Sequence, residues 1–185
     1  MAESPKTPDL DALFARNLPP LVAFIRSRAG RAVSAHESAA DIAQSVCREV
    51  LQDMSGFEYR SDEAFRGWLF VQASRKILDR NRFLHRERRD VAREQPPAPS
   101  EDEAKTLLTC YASLRTPSRY ASAREELKRI EAVVQDLPEA QRDAVTMSRL
   151  MGLSYGDIAQ AMGTTESAVR GLVARGLAAI AAKLA

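Results

Sequence analysis

The sequence predicts an all-α protein of two small helical domains joined by a flexible linker, with a helix-turn-helix in the second domain. Apolar residues recur at the 3.6-residue helical period along most of the 185 residues, without the alternation typical of half-buried strands. A segment with three prolines and four acids, 94–105, separates two such halves and indicates a tether. We therefore place the domains at 8–94 and 123–185, with the linker at 95–122.

Three helices are expected in the N-terminal domain. The first covers 10–28, and a Pro-Pro pair inside it is expected to kink or split the helix. The second opens near Ser34, which precedes Glu37 by three residues as in a capping box. The third begins at Ser61, an N-cap followed by two acids that favour the helix dipole, and it continues into a basic stretch.

Two short helices and a longer one are expected at the C-terminal end. A new amphipathic pattern begins at Ala123, after a mixed segment (106–120) that favours one short helix. Ser154 lies three residues before Asp157, which resembles a capping box with Asp in place of Glu. Gly163 then permits the positive φ of a tight turn between two helices.

The last helix is predicted to read duplex DNA. Thr165 is its N-cap, and apolar residues recur at helical spacing from Val169 to Leu184. In a helix-turn-helix, the N-terminal residues of the second helix reach base edges in the major groove. The pattern leaves outward there Thr164, Glu166, Ser167, Arg170 and Arg175. The alternative is a three-helix packing unit with a solvated outer face.

Composition is typical of a soluble globular protein, with 45% hydrophobic and 28% charged residues and a net charge of +2. Two isolated cysteines and two isolated histidines fit neither a zinc site nor a disulfide framework, so no metal and no cofactor is expected. The sequence lacks the motifs of nucleophilic, phosphate-binding and metal-dependent catalysis, which argues against an enzyme. It lacks a secretory signal and a membrane-length apolar run, so we expect no membrane span and a cytoplasmic protein.

Two polar patterns in the N-terminal half point to binding. The second helix carries a continuous polar stripe opposite its apolar one, which is either a solvated face or a docking surface for a partner helix. This polar stripe consists of Asp41, Gln44, Arg48 and Gln52. Farther along, aromatic residues precede eight Lys or Arg between positions 75 and 93, against three acids. That combination suits single-stranded DNA, because bases stack on rings while cations follow the backbone.

Together these motifs resemble the bacterial RNA polymerase sigma factors of the sigma-70 family, specifically the small extracytoplasmic-function (ECF) type. SAADIAQSV is similar to the family's D-[LI]-x-Q motif, on the helix that docks on the clamp helices of the polymerase largest subunit. FRGWLFVQASRKILDRNR is similar to the segment that faces the minus-ten promoter element. LPEAQRDAVTMSRLMGLSYGDIAQAMGTTESAVRGLVAR is similar to the reader of the minus-thirty-five element.

The resemblance implies a function and a role for each set of residues. It implies a sigma factor that binds core polymerase through the polar stripe, engages promoter DNA as duplex and as melted non-template strand, and assists melting. The implied minus-ten residues are Phe57, Tyr59, Arg75, Lys76, Asp79, Arg80, Arg82 and Arg86. The implied minus-thirty-five residues are Thr164, Thr165, Glu166, Ser167, Arg170 and Arg175. The family precedent also admits an anti-sigma protein as a partner.

Two other functions compete with the sigma factor. A DNA-binding regulator whose N-terminal helices dimerise or bind a partner explains the helix-turn-helix equally well, since response-regulator output domains carry a similar pattern. An RNA-binding protein built on the arginine cluster leaves the helix-turn-helix unexplained. The N-terminal half favours the sigma factor, because D-I-A-Q, F-x-x-W-L and the arginine run occur in the family's order and spacing.

Overall fold

The structure is a computed structural model that describes residues 9–29, 33–34, 36–53, 59, 61–86, 98–114 and 122–184. Within these residues the regular structure is helical, which confirms the predicted fold class. The helices are α1 (Leu10–Arg28), α2 (Ala39–Gln52), α3 (Asp62–Arg86), α4 (Glu101–Cys110), α5 (Ala123–Gln135), α6 (Glu139–Arg149), α7 (Tyr155–Met162) and α8 (Glu166–Leu184), with a short 3-10 helix at Ala112–Leu114. No described helix is both long enough and apolar enough to cross a membrane.

The first three helices pack around a cluster of aromatic rings. α1 lies against α2 and α3, which also contact each other. Phe14 and Phe24 of α1 meet Phe65 and Phe70 of α3, with ring centroids 5.3 Å and 4.7 Å apart. Because these rings are drawn to the interior, the polar faces of α2 and α3 are left toward solvent.

The first helix is continuous through both of its prolines, so the predicted split is wrong. Asp9 caps it by accepting a hydrogen bond from the amide of Ala12 at 3.2 Å. It packs on five other helices, α2 to α6, and this tertiary packing holds the helix although two amide donors are missing.

The second helix begins at a different serine from the one predicted. Ser38 is its N-cap, and the Ser38 hydroxyl oxygen accepts a hydrogen bond from the Asp41 amide at 3.1 Å. Glu37 does not complete a box with Ser34, because its carboxylate pairs with Arg80 of α3 at 2.8 Å. An ion pair between distant parts of the chain thus overrides a local capping signal, and the prediction for Ser34 is wrong.

Part of the predicted linker is helical and packed. α4 opens with a capping box, in which the Ser100 hydroxyl accepts from the Glu103 amide at 3.2 Å and the Ser100 amide donates to the Glu103 carboxylate at 2.7 Å. The helix lies against α1 and α5 and buries Leu107, Leu108 and the following Tyr111. The segment 98–114 therefore contributes apolar side chains to the core, whereas the domain boundaries at 94/95 and 122/123 remain a prediction.

The C-terminal half has the predicted helix-turn-helix, with α8 packed on α6 and α7. Ser154 caps α7 by accepting from the Asp157 amide at 3.1 Å, and Thr165 caps α8 by accepting from the Ala168 amide at 3.2 Å. Gly163 closes the turn with φ 63° and ψ 38°. All three positions agree with the sequence prediction, because caps and tight turns depend on local chemistry.

Apolar residues of the two halves share their clusters. Met147, Met151 and Leu153 of the C-terminal half pack in the same cluster as Phe24 and Phe70 of the N-terminal half. Conversely, Ala23 of α1 belongs to a second cluster that is otherwise formed by α4, α5 and the helices beyond. The two halves are therefore packed against each other in this structure.

Candidate nucleic-acid interface

The polar stripe of α2 is exposed along its whole length. Asp41, Gln44, Arg48 and Gln52 all face solvent, while Ile42, Ala43, Val46 and Val50 are buried on the opposite side. The Asp41 carboxylate accepts a hydrogen bond of 2.6 Å from the Ser38 hydroxyl, which fixes the first residue of the stripe at the start of the helix. The stripe thus presents a carboxylate, two amides and a guanidinium on one rigid face.

Cys47 lies between the polar stripe and the buried face of α2. Its side chain is half-buried and free of any disulfide. Burial raises the pKa of the Cys47 thiol, so the thiol stays protonated and unreactive at neutral pH. A half-buried thiol of this kind packs as a small hydrophobic residue.

The basic face of α3 carries well-exposed cations and cations that are ion-paired with residues outside α3. Arg75 and Arg82 are exposed, and Arg82 lies 3.7 Å from the exposed carboxylate of Asp79. By contrast, Lys76 forms an ion pair with Glu49 of α2, and Arg80 forms the ion pair with Glu37 described above. A DNA phosphate would have to replace Glu49 or Glu37 to engage Lys76 or Arg80, so Arg75 and Arg82 are the directly available cations.

Tyr59 is the described part of the loop that precedes α3. Its hydroxyl donates a hydrogen bond of 2.6 Å to Asp62, whose carboxylate also accepts from Arg16 of α1 at 3.1 Å. The hydrogen bond to Asp62 raises the pKa of Tyr59. The ring is only partly exposed, and this network fixes it beside the start of α3. Phe57 and the side chain of Arg86, both predicted as minus-ten contacts, lie outside the described residues.

Sequence reasoning missed Phe83 on the same face of α3. Its side chain is 51% exposed, and it lines a shallow groove of about 430 Å³ together with Arg75, Lys76, Asp79 and Arg80. Phe83 follows Lys76 by seven residues and Arg75 by eight, so helical spacing alone would have placed it there. An exposed aromatic ring beside cations is the combination that favours base stacking.

The N-terminal end of α8 presents all six predicted residues to solvent: Thr164, Thr165, Glu166, Ser167, Arg170 and Arg175. The buried side of the helix carries Val169, Val173 and Ile180, as its apolar spacing predicted. The Arg170 guanidinium lies over the ring of Tyr155, 5.9 Å from the ring centroid, which supports this long side chain from the preceding helix. The Thr165 hydroxyl accepts the capping hydrogen bond, so its oxygen already has a structural role.

The exposed residues predicted to bind partners therefore form three groups on three helices, α2, α3 and α8. These three groups are separate and do not form a single site. Among the described residues no group of three or more His, Cys, Asp or Glu side chains could hold a metal ion. The arrangement is that of separate binding surfaces for large partners.

Comparison with known proteins identifies the family of this chain. The family model for sigma-70 region 2 matches residues 13–89, and the model for sigma-70 region 4 matches residues 127–180. The RNA polymerase sigma factor NccH of Alcaligenes xylosoxydans xylosoxydans is 31% identical over 163 residues, which cover 85% of this chain and 83% of NccH. The chain belongs to the sigma-70 family of RNA polymerase sigma factors.

Other relatives place this sigma factor among the ECF type. The ECF RNA polymerase sigma factor SigD of Mycobacterium tuberculosis is 28% identical over 152 residues, covering 82% of this chain and 66% of SigD. The fold matches the sigma factor RpoE of Bartonella quintana, solved in complex with the anti-sigma factor NepR, with a TM-score of 0.64 and 22% identity over 95% of this chain and 96% of that one. The protein is thus a transcription initiation factor that works with RNA polymerase and promoter DNA, and not an enzyme.

The family match also decides between the functions that the sequence left open. Neither a stand-alone DNA-binding regulator nor an RNA-binding protein explains why the N-terminal half should match a sigma factor. The region 2 model covers that half from residue 13 to residue 89, and the region 4 model covers the helix-turn-helix. Both parts of a sigma factor are therefore present in one chain.

Proposed function

We propose that this sigma factor directs core RNA polymerase to promoters with a minus-ten and a minus-thirty-five element and assists melting at the minus-ten element. The observation that carries the proposal is the presence, in one chain, of an exposed polar stripe on α2 and an exposed recognition-helix terminus on α8. The polar stripe is suited to binding a protein partner, and the start of α8 is suited to binding duplex DNA.

The polar stripe docks on the clamp helices of the polymerase largest subunit. Its four side chains lie on one helical face, and the buried face behind them holds α2 against α1 and α3. A rigid helix face is suited to packing against another helix, because neither partner must order on binding. Asp41 and Arg48 present opposite charges along this face and so set the direction in which the partner helix lies.

The face of α3 engages the minus-ten element. Among the described residues, Arg75 and Arg82 are exposed cations that reach phosphates directly. Tyr59, in the loop that precedes α3, receives an unstacked base of the non-template strand, together with Phe57, which lies outside the described residues. Each phosphate neutralised releases counterions, so binding through α3 weakens as salt rises. The energy of base extrusion, a few kcal/mol, is offset by contacts that this loop makes to the extruded base.

The start of α8 reads the minus-thirty-five element in the major groove. Arg170 is its principal reader, because its guanidinium is exposed and held over the Tyr155 ring. A guanidinium can bind guanine through two hydrogen bonds. Arg175, five residues farther along α8, is also exposed and supplies a phosphate contact.

The proposal also covers the regulation of the factor and its location in the cell. An anti-sigma protein holds the factor inactive, in keeping with the complex in which the fold's solved neighbour was determined. The factor acts in the cytoplasm, where bacterial RNA polymerase and its promoters are found. The two binding domains correspond to 8–94 and 123–185.

The test is run-off transcription with purified core polymerase on a pool of genomic promoter fragments, with and without this protein. We expect sequence-selective transcripts that appear only with the protein and that share two upstream elements. Retained binding of duplex fragments without polymerase-dependent transcripts would contradict the proposal.

A further inference from the structure

One aromatic side chain of α3 lies outside the core. The phenylalanines of α1 and of the first half of α3 pack in the interior as two ring pairs, Phe14 with Phe65 and Phe24 with Phe70. Phe83, near the C-terminal end of α3, is instead 51% exposed. A single exposed apolar residue is ordinary on a protein surface, so the groups around Phe83 decide whether the ring has a role.

Phe83 lines a groove of about 430 Å³ on one face of α3. From Gln72 to Phe83, the lining residues of α3 recur at helical spacing and therefore form one continuous stripe. Glu49 lines the same groove from the neighbouring α2. We call this site the Phe83 groove, and it brings an aromatic ring together with charges of both signs.

Two cations of the Phe83 groove are already neutralised. Lys76 is ion-paired with Glu49, and Arg80 is ion-paired with Glu37 at 2.8 Å. A phosphate would have to displace a carboxylate to reach either cation, and the displaced carboxylate would then repel it. The charges that the groove offers to a ligand without such an exchange belong to other residues.

Those residues are Arg75 and Asp79, one cation and one carboxylate. Both side chains are exposed. Asp79 lies 3.7 Å from Arg82, and because both of these side chains are 71% exposed, water screens that contact. Arg75, Asp79 and Phe83 follow one another at intervals of four residues, about one helical turn. A cation, a carboxylate and a ring therefore succeed each other along one face of α3.

This series fits one nucleotide of single-stranded DNA. A cation binds the phosphate, and a ring stacks on the base. The base edge must then bring a hydrogen-bond donor to the carboxylate. Cytosine N4 and adenine N6 are amine donors, whereas thymine O4 and guanine O6 are acceptors. A carboxylate accepts from the amines and repels the carbonyl oxygens, so the groove favours cytosine and adenine.

We propose that the Phe83 groove binds one unstacked cytosine or adenine of the melted non-template strand. Phe83 stacks on the base, Asp79 accepts a hydrogen bond from its exocyclic amine, and Arg75 binds the flanking phosphate. The proposal rests on the proposed function of α3 at the minus-ten element. At about 1.5 Å per residue, Phe83 lies roughly 30 Å from the start of α3, so this base is a different one from the base that Tyr59 receives.

Substitutions at Phe83 test the stacking. Holoenzyme reconstituted from purified core polymerase and each full-length variant is titrated with a fluorescently labelled oligodeoxycytidine, and core polymerase alone gives the background. Phe83→Ala should weaken binding by at least about fivefold. Phe83→Trp should bind like the wild type, whereas Phe83→Leu, which is apolar but has no ring, should be weakened. Leu78→Ala is the matched control, since it removes a 47% exposed apolar side chain of α3 that does not line the groove.

The choice of base tests the role of Asp79. Oligodeoxycytidine and oligodeoxyuridine of equal length present an amine and a carbonyl oxygen, respectively, at C4 of each base. Wild-type holoenzyme should bind oligodeoxycytidine about three- to tenfold more tightly. Asp79→Asn should bring the two affinities together, because an amide can donate to a carbonyl oxygen as well as accept from an amine.

Unchanged oligonucleotide binding by Phe83→Ala would overturn the proposal, and so would equal affinity of the wild type for the two oligonucleotides. Weaker binding of Phe83→Ala to core polymerase would also overturn it, because the ring would then contact a protein. Run-off transcription by the wild-type holoenzyme reports separately on the proposed function. Its failure would refute that function, whereas normal transcription without the expected oligonucleotide effects would overturn the Phe83 groove alone.

Discussion

The hydroxyl of Tyr111 donates a hydrogen bond of 3.0 Å to the main-chain carbonyl of Ala23, which joins the residue after α4 to the middle of α1. Tyr111 is fully buried, so this hydroxyl has exchanged water for a single protein partner. Burial is also the first cause that raises the pKa of Tyr111 well above its ordinary value of 10.0.

Tyr111→Phe should lower the free energy of unfolding by about 0.5–1.5 kcal/mol, because the Ala23 carbonyl loses this donor while the ring is kept. Urea denaturation at neutral pH measures the loss.

The substitution Tyr111→Phe should also change how the free energy of unfolding depends on pH above neutrality. Below pH 10 the tyrosine is protonated in both states, whereas above it only the unfolded chain ionises, and the free energy of unfolding falls as pH rises. If the free energy of unfolding fell equally steeply with alkaline pH in the wild type and the variant, the raised pKa of Tyr111 would be contradicted.

Gly163→Ala should destabilise the protein by about 1–2 kcal/mol, because the turn between α7 and α8 requires φ of +63° and nothing within 4 Å compensates the strained alanine. Thermal denaturation gives the change. Gly163→Asn should cost less, since asparagine tolerates the left-handed region better. The matched control is Gly171→Ala inside α8, where only the flexible end of Arg175 is near and helix propensity predicts stabilisation of up to about 1 kcal/mol. Equal effects at both positions would argue against backbone strain at Gly163.

Gly176→Ala should cost about 1–3 kcal/mol by overpacking, because its Cβ atom would lie 2.6 Å from Cγ2 of Val145 in α6. Val145→Ala removes the conflicting methyl groups and should relieve much of that cost in the double variant. A double-mutant cycle on the free energy of unfolding measures this coupling. Strict additivity of the two substitutions would show that α6 and α8 do not approach closely at this point.

Caps illustrate what the sequence can predict. Ser61, Ser154 and Thr165 each cap the helix expected of them, because a cap joins a side chain to an amide three residues away. Ser34 fails for a reason that no local pattern contains: Glu37 pairs with Arg80, 43 residues later in the chain. Ser100 and Glu103 form a capping box within the segment that we predicted as a linker from its prolines and acids.

The interdomain contacts were beyond sequence reasoning. Arg26 and Glu131 are 105 residues apart, and each alone looks like an ordinary charge on an amphipathic helix. By contrast, the exposed sets on α2 and α8 followed from helical spacing, since residues three and four apart share a face. Lys76 and Arg80 are intermediate cases, because their place on α3 was predictable from helical spacing. Their partners, Glu49 on α2 and Glu37 before it, were not predictable.

Asp41→Ala with Gln44→Ala should abolish binding to core polymerase while leaving the fold intact, because both side chains are exposed members of the polar stripe. Affinity for purified core polymerase and the circular dichroism spectrum are measured together. Asp102→Ala with Lys105→Ala on α4 is a suitable control, since it removes two exposed polar side chains away from the stripe. Unchanged affinity in the Asp41 and Gln44 variant would refute the docking surface.

Arg170→Ala should reduce discrimination between the cognate and altered minus-thirty-five elements by about 1–3 kcal/mol if the guanidinium binds a base through two hydrogen bonds. Binding to a panel of single-base variants of the duplex measures this. Arg175→Ala should instead weaken binding to every duplex alike and reduce its salt dependence. Uniform weakening by Arg170→Ala would make that residue a phosphate contact.

Because α1 contributes residues to both apolar clusters, the two halves of such proteins cannot be exchanged freely between relatives. Arg26 and Arg28 belong to the N-terminal half, whereas the carboxylates that neutralise them, Glu131 and Asp143, belong to the C-terminal half. A chimera that joined this N-terminal half to the promoter-reading half of a relative without those acids would confine two guanidinium groups with no counter-charge. Exchange of the C-terminal half between such proteins therefore requires that the carboxylates facing α1 be kept as well.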